Sequence, residues 1–157
     1  MSNTNSLRRS QLGIPANESQ LVAEAVESEA DKIFFDLEDS LAPGEKDAAR
    51  AELIAAVTDH DWSDTGLGYR INGTNTRWWH NDIIEVVEAV GSEIETLIIP
   101  KIQDPSDVQT VVTLLKTVEM NAGADVGPIG VSAQIETAAG MNAVTEIAHA
   151  TDRLEAL

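Results

Sequence analysis

The stretch DLED (36–39) directly follows the apolar run IFF (33–35), and the same succession recurs along the chain. Later polar clusters are RING (70–73), PK (100–101) and QIET (134–137), each placed after a short apolar run and before a helix-like segment. Polar residues at the carboxyl ends of successive parallel strands are where (β/α)₈ barrels place their active sites. The pattern therefore predicts an α/β fold with chemistry at one end of its strands.

Strand-like and helix-like runs alternate strictly, which favours a parallel sheet with right-handed crossovers. The predicted strands are 11–14, 32–37, 67–71, 96–99, 129–135 and the beginning of a sixth at 154–157. The predicted helices are 19–29 (with Asn17 or Ser19 as N-cap), 45–58, 79–90, 105–121 and 140–149. An eight-unit barrel needs about 250 residues. We therefore expect residues 1–157 to be the N-terminal portion of one (β/α)₈ TIM barrel, holding five βα units and part of a sixth, and not a catalytically competent monomer alone.

Residue parity sharpens the site prediction, because alternate residues of a strand face opposite sides. In the second strand Ile33, Phe35 and Leu37 share one face, which leaves the polar residues on the other. If the apolar faces lie under the helices, six polar side chains point into the barrel lumen. They are Asp36, Glu38, Arg70, Asn72, Gln134 and Glu136.

The charge balance excludes several partner classes. The chain has 27 acidic and 10 basic residues, a net charge of −17 and no cysteine. Such a charge repels nucleic acid and anionic membranes, so we expect neither as a partner. High Asp and Glu content with scarce lysine is also typical of a salt-loving source, although an ordinary acidic protein is the alternative. No apolar run approaches a membrane span or a signal-peptide core, so a cytoplasmic location is predicted.

Several segments together resemble the citrate lyase β-subunit/malyl-CoA lyase family, and most closely its L-malyl-CoA/β-methylmalyl-CoA lyases. They are RSQL…P (9–15), FFDLEDSLAPGEKDAAR (34–50), DW (61–62), YRINGTNTRWW (69–79), IIPKI (98–102) and QIETAAGM (134–141), in the family's order and spacing. The resemblance implies a (β/α)₈ barrel of the phosphoenolpyruvate-binding superfamily. It also implies Mg²⁺ or Mn²⁺ as cofactor, acyl-CoA thioester and 2-oxo acid (glyoxylate) as substrates, and a homo-oligomer, a trimer or hexamer.

The same resemblance assigns roles to individual residues. Glu136 corresponds to the family's metal ligand after the fifth strand, and a second carboxylate would follow the sixth strand. The alternative for Glu136 is a negative charge that the dipole of the following helix stabilises at its N-terminus. Arg70 resembles the arginine that binds the oxo acid, although an ion pair with Glu38 or Asp39 is compatible with that role. Glu38 and Asp39 resemble the catalytic acidic pair near the metal waters, and for Asp39 a helix-capping or turn role is an equal alternative.

Further residues are predicted to contact substrate. Lys101 follows a strand and a proline, and a surface lysine is its alternative. The small residues around Ala138 and Gly140 open a helix whose N–H groups could bind a carboxylate. Family members usually have basic residues after the first strand to meet the CoA phosphates. This chain has Glu18 and Glu24 there, so CoA recognition would depend on other residues, such as Arg9.

The favoured function is a metal-dependent carbon–carbon lyase acting on malyl-CoA-type thioesters. A 2-oxo acid aldolase of the same superfamily is the nearest enzymatic alternative, and CoA binding distinguishes the two. A non-catalytic fragment or assembly subunit is the alternative of another class.

Overall fold

The computed structural model describes residues 7–123 and 125–157. The strands are β1 Gln11–Pro15, β2 Lys32–Asp36, β3 Gly66–Arg70, β4 Thr96–Ile99, β5 Gly130–Ala133 and β6 Leu154–Ala156. The helices are α1 Ser19–Val26, α2 Lys46–Asp59, α3 Trp79–Val90, α4 Pro105–Asn121, α5 Ala138–Asn142 and α6 Val144–Ala148. A short 3₁₀ turn, Gly91–Glu93, follows α3.

All neighbouring strands pair in parallel, in the sheet order β1-β2-β3-β4-β5-β6. Consecutive order with a helical crossover after each strand is the arrangement of a (β/α)₈ barrel. The predicted α/β class is confirmed, with five βα units and a sixth strand. The register places Asp36 of β2 beside Arg70 of β3, so their side chains emerge at the same end of the sheet.

The two faces of the sheet differ as the parity predicts. Ile33, Phe35 and Tyr69 are fully buried in one apolar core that the helices cover. On the other face Arg70 and Gln134 are only partly buried. The apolar face therefore holds the helices, and the polar face is left for the site.

Three local predictions were wrong. The predicted helix 140–149 is two short helices, α5 and α6, with Ala143 between them. The N-cap of α1 is Glu18 rather than Asn17 or Ser19, and its side chain makes no capping hydrogen bond. Helix α1 also ends at Val26, three residues before the predicted end. Apolar spacing gave the helical segments but not the points where they break.

The beginning of α4 follows its sequence signals closely. Pro105 occupies the first turn, where its missing N–H costs nothing. Asp104 and Asp107 form a reciprocal capping box. The Asp107 carboxylate also accepts a hydrogen bond from the Thr74 hydroxyl at 3.0 Å, which ties the loop after β3 to α4. Within the described ranges, no helix is both long enough and apolar enough to cross a membrane.

Candidate active site

Arg70 and Asp36 form the centre of a polar cluster at the carboxyl ends of the strands. Arg70 donates from Nε and Nη2 to the two Asp36 oxygens at 2.8 and 2.7 Å, and from Nη1 to Gln134 Oε1 at 3.2 Å. Its guanidinium lies over the Phe34 ring at 5.9 Å. A guanidinium has five N–H donors. The described residues accept hydrogen bonds from three of them, so two have no acceptor there, although Nη1 also lies 3.6 Å from Glu38 Oε2.

Asp36 is held by more than Arg70. The backbone N–H groups of Glu38 and Ser40 donate to its two oxygens at 2.8 and 3.0 Å. Burial alone would raise the pKa of Asp36, but the hydrogen bonds from Arg70 and the backbone bring that pKa below its ordinary value. The same pairing with Asp36 raises the pKa of Arg70. Asp36 therefore stays ionised and fixes the plane of the guanidinium.

Glu38 lies between two cations. One oxygen is 2.5 Å from Lys101 Nζ, and the other is 3.6 Å from Arg70 Nη1. That second oxygen is buried and accepts no hydrogen bond from any residue that the structure describes. Burial raises the pKa of Glu38, although Lys101 and Arg70 oppose the shift. An ionisable oxygen buried without a partner is costly, which marks this position as one suited to a ligand.

Lys101 connects three strand ends. Its ammonium donates to Asp39 at 2.8 Å as well as contacting Glu38, and its backbone N–H donates to Glu136 Oε1 at 2.8 Å. These hydrogen bonds to Asp39 and Glu38 raise its pKa. Among the described residues Lys101 is the single non-glycine residue with positive φ, at 53°. Left-handed backbone is strained for a residue with a side chain, and such strain concentrates at functional sites.

Glu136 is exposed at the end of β5 and belongs to the same cluster. Its second oxygen accepts a hydrogen bond from Gln134 Nε2 at 3.2 Å. A carboxylate suits Mg²⁺ or Mn²⁺, so the donor chemistry fits the predicted metal in kind. No group of three or more potential ligands that could hold a metal comes together within residues 7–123 and 125–157. The described residues thus form no complete coordination sphere, and the role of Glu136 as a metal ligand stays a prediction.

Two predicted participants lie elsewhere. Arg9 precedes β1 and donates from its Nε and Nη2 to the Asp31 carboxylate at 3.0 and 2.7 Å, at the amino ends of the strands. Asn72 does not face the lumen cluster, because its side chain and N–H both donate to buried Asp82 of α3, at 2.7 and 2.9 Å. The lumen prediction for Asn72 was wrong, and the position of Arg9 gives its CoA role no support.

The opening turn of α5 is already engaged. The Gly140 N–H donates to the Thr137 hydroxyl at 2.8 Å, so it is not free for a carboxylate. A Cβ at Gly140 would lie 2.3 Å from the Ile102 carbonyl oxygen, which explains the glycine by close packing. Ala138 is exposed at the first position of the helix. Substrate contact by either residue stays a prediction.

The predicted ion pair of Arg70 with Glu38 is present at 3.6 Å, but the bidentate partner, which is Asp36, was not predicted. Asp39, the other predicted partner, contacts Lys101 instead. The signal was available: Asp36 lies directly opposite Arg70 if β2 and β3 pair in register. Lys46, which contacts the backbone of this cluster, was not singled out because it reads as an ordinary helix lysine.

Comparisons with known proteins give this geometry a family. Residues 9–157 match the HpcH/HpaI aldolase/citrate lyase family. The chain belongs to that family. It is 38% identical over 149 residues to an L-malyl-CoA/beta-methylmalyl-CoA lyase of Cereibacter sphaeroides, covering 95% of this chain and 46% of the relative. It is 35% identical to a citrate lyase subunit beta of Leuconostoc mesenteroides subsp. cremoris, covering 97% and 49% respectively.

A solved member of the family shares the fold. The CitE protein of Mycobacterium tuberculosis, crystallised with magnesium, acetoacetate and coenzyme A, superposes with a TM-score of 0.66 at 30% identity. The match covers 92% of this chain and 47% of CitE. The chain thus spans about half the length of the HpcH/HpaI relatives that it matches. The predicted resemblance to the citrate lyase β-subunit/malyl-CoA lyase family is confirmed.

Proposed function

We propose that the protein is a metal-dependent carbon–carbon lyase that cleaves, or forms, malyl-CoA or β-methylmalyl-CoA-type thioesters, releasing glyoxylate and an acyl-CoA. The observation that supports it best is Arg70, which keeps two N–H donors available at the carboxyl ends of the strands while Asp36 fixes its orientation. The relatives' names support the thioester and the type of bond cleaved.

The residues of this chain would act on the oxo-acid half of the substrate. The bond between the carbinol carbon and the carbon next to the thioester breaks, and its electron pair forms the acyl-CoA enolate. The carbinol hydroxyl loses its proton and becomes the carbonyl of glyoxylate. Arg70 would bind the carboxylate of the oxo-acid half and stabilise the negative charge that develops on the carbinol oxygen. The enolate then gains a proton, so that atoms and charge balance.

The acidic pair has a defined place in this proposal. The raised pKa of Glu38, which burial causes, would let this carboxyl exchange protons more readily than an ordinary glutamate. Lys101 contacts both Glu38 and Asp39 and would fix their separation. We assign Glu38 and Asp39 to positioning of water and metal-bound groups near the reacting oxygen, and Lys101 to the substrate side of the same cluster.

Glu136 would hold Mg²⁺ or Mn²⁺ together with ligands that the described residues do not provide. When bound, such a cation supplies Lewis-acid polarisation of the oxo-acid oxygens. The charge balance of the cluster supports a cation, because Asp36, Glu38, Asp39 and Glu136 outnumber Arg70 and Lys101. The magnesium in the CitE crystals supports the same choice of metal.

The acyl-CoA partner is proposed on the relatives, and the assembly on the family resemblance of the sequence. CitE was crystallised with coenzyme A, and the Cereibacter relative is named for its CoA thioesters. We propose that CoA binds through residues other than Arg9, which pairs with Asp31 at the opposite end of the sheet. A homo-oligomer, trimeric or hexameric, and a cytoplasmic location complete the proposal.

The test is an assay with malyl-CoA and Mg²⁺ of the purified protein in the oligomeric form that we propose, rather than of an isolated monomer, in which glyoxylate and free acyl-CoA are measured together. We expect equal amounts of both products, abolished by a chelator and restored by added Mg²⁺. Glyoxylate-type products from a CoA-free hydroxy acid, with none from malyl-CoA, would favour the aldolase alternative. No turnover of either substrate by protein of verified oligomeric state would favour the assembly subunit.

A further inference from the structure

Lys46 is a buried lysine at the first position of α2, with only 7% of its surface exposed. Its Nζ donates to the backbone carbonyl oxygens of Leu37 and Glu38, at 3.1 and 2.6 Å. These two carbonyls belong to the residues directly after β2. The ammonium therefore contacts the backbone that carries the Glu38 side chain.

The burial of this ammonium has no ordinary explanation in an ion pair. Among residues 7–123 and 125–157, no carboxylate lies within salt-bridge distance of Lys46, and the centroid of the Trp78 ring is 5.5 Å from Nζ. Burial lowers the pKa of Lys46, although the more distant Glu38 and Asp82 oppose the shift. Burying a charge without a paired carboxylate is costly. The two carbonyl contacts are the compensation that the structure shows.

The segment that Lys46 contacts is held partly by β3, because the Leu37 N–H donates to the Arg70 carbonyl oxygen at 3.0 Å, and partly by its own turn. After β2 the chain turns sharply, with the Glu38 N–H on Asp36 and the Leu41 N–H on the Glu38 carbonyl at 3.3 Å. The Glu38 carbonyl oxygen therefore accepts two hydrogen bonds. One comes from the Leu41 N–H inside the turn, and the other comes from Lys46 outside it. A rotation of this peptide would move the Glu38 carboxylate away from Lys101 and Arg70.

The next strand end is supported in a similar way by Arg50, one turn further along α2. Arg50 is 4% exposed and donates to Asp82 at 3.2 Å, and Asp82 accepts the N–H and side chain of Asn72 after β3. The opening turns of α2 therefore present two buried cations toward the two neighbouring strand ends that bear Glu38 and Arg70. This repetition argues against chance burial of Lys46.

We infer that Lys46 is a positioning residue that fixes the Leu37–Glu38 backbone, and thereby sets the Glu38 carboxylate against Lys101 and Arg70. Lys46 itself does not touch the cluster's side chains. Its effect on turnover rests on the proposed function, but its effect on the backbone does not.

The experiment compares K46M with K32M. Methionine keeps an unbranched apolar stem, one heavy atom shorter than that of lysine, and removes the donors. Lys32 is the matched control, because it is also a buried lysine, at the first position of β2, but pairs with Glu95 at the amino end. Amide hydrogen exchange across residues 36–42 is measured in both variants and in K46R, which keeps a cationic donor. Steady-state kinetics on malyl-CoA follow for each.

We expect K46M to accelerate exchange at 36–42 by about tenfold or more and to lower kcat by a similar factor with little change in KM, the scale at which misplaced supporting groups act. K32M should leave exchange at 36–42 and kcat within about twofold of wild type, and K46R should recover most of the protection and most of kcat. If K46M changes the exchange at 36–42 but the wild type does not turn over malyl-CoA, the positioning role is supported and only the proposed lyase function is contradicted.

Two results would overturn the inference. Exchange across 36–42 in K46M that equals wild type would show that the carbonyl contacts do not hold this backbone. Global unfolding of K46M, seen as loss of the far-UV circular dichroism signal, would make Lys46 a determinant of the whole fold rather than of one strand end. A kcat that K46R fails to recover while exchange is normal would also contradict a role limited to positioning.

Discussion

The two ends of this sheet are both rich in charge, but they use it differently. At the amino ends each cation has one carboxylate: the pairs are Arg9–Asp31, Lys32–Glu95 and Arg8–Glu155. At the carboxyl ends the cations are shared, since Arg70 contacts Asp36 and Glu38 while Lys101 contacts Glu38 and Asp39. Only the carboxyl-end cluster contains a buried carboxylate oxygen, on Glu38, without a hydrogen bond from the described residues.

Under the proposed function, this difference separates charges that only stabilise the fold from charges that would also bind a ligand. A closed one-to-one pair needs nothing further, and it contributes little when it is exposed. An open cluster with more carboxylates than cations gains when a divalent cation and an anionic substrate enter. The comparison predicts that matched substitutions at the two ends will have very different effects.

The largest effect is expected from R70K, with R9K as its control at the other end. Lysine keeps the charge of Arg70 but loses the planar fork that fits both Asp36 and a substrate carboxylate. We expect kcat/KM with malyl-CoA to fall about 10²–10³-fold in R70K, the usual loss when one charge-stabilising donor is removed. R9K should stay within about twofold of wild type, because Arg9 pairs with Asp31 away from the cluster.

The activity measurement needs a fold control. Circular dichroism and melting temperature of R70K should remain close to wild type, since the positive charge beside Asp36 is kept. Wild-type kcat/KM in a folded R70K would remove Arg70 from the site. A loss in R9K as large as that in R70K would instead show that the two ends are not functionally distinct.

Metal affinity should show the second largest difference, between E136Q and E155Q. Both changes remove one negative charge, but Glu136 is the proposed ligand, whereas Glu155 pairs with Arg8. We expect Mg²⁺ affinity, measured by calorimetry on the active protein, to fall at least about tenfold in E136Q, since even outer contacts of a metal site matter that much. Equal affinities in E136Q and wild type would contradict the ligand assignment.

Lys101 allows strain and charge to be separated at the carboxyl end. K101A and K101G both lose the ammonium that contacts Glu38 and Asp39, so both should lose activity alike. Only glycine accepts the positive φ of 53° without strain. We expect K101G to be more stable than K101A by about 1 kcal/mol in urea unfolding. Equal stability would mean that the backbone relaxes to negative φ once the side-chain contacts are gone.

Added KCl should act more on the repulsion between surface carboxylates than on the ion pairs at either end of the sheet. Salt weakens exposed pairs such as Arg9–Asp31, but it also screens repulsion among carboxylates in a chain of net charge −17. Because acidic residues greatly outnumber basic ones, the screening should win and the melting temperature should rise from low to molar KCl. A melting temperature that stays flat or falls would count against the prediction of a salt-loving source.

The sequence was sufficient for the architecture because alternation and parity are local patterns. Runs such as IFF (33–35) predict a strand, and the polar residues after them predict where the strand ends and which face is polar. None of this requires knowing which residues the strand contacts. The cluster of Arg70, Glu38, Lys101 and Glu136 followed from placing those ends side by side. The break at Ala143 did not, because the apolar spacing around it continues across the two short helices.

Pairing was harder to predict than position. Arg9 was chosen as a CoA contact because it is a cation near the first strand, yet β1 begins after it, which puts it at the opposite end from the strand-end clusters. Asn72 shares parity with Arg70 but lies beyond the end of β3, where strand alternation no longer applies and Asp82 captures it. Lys46 could not be separated from a solvent-facing helix lysine without the contacts to Leu37 and Glu38.

The smallest effects are expected in stability against pH, where the two ends should have opposite signs. At the amino end the hydrogen bond from Arg9 lowers the pKa of Asp31 from 3.8 to about 2. The pair therefore stabilises the fold above pH 3.8, and this contribution is lost as the pH falls through about 2. At the carboxyl end burial raises the pKa of Glu38 above 4.5, so its ionisation destabilises the fold as the pH rises past that value.

Melting temperatures of D31N and E38Q between pH 2 and pH 7 test this contrast. At pH 7 we expect D31N to melt below wild type and E38Q to melt at or above it, because glutamine removes a costly buried charge. Both differences should shrink in acid, that of E38Q as the pH falls toward 4.5 and that of D31N as the pH falls from 3.8 through about 2. If E38Q is instead destabilised as much as D31N at pH 7, then Glu38 forms a closed structural pair with Lys101. The distinction between the two ends of the sheet would then fail at Glu38, the most buried carboxylate of the carboxyl-end cluster.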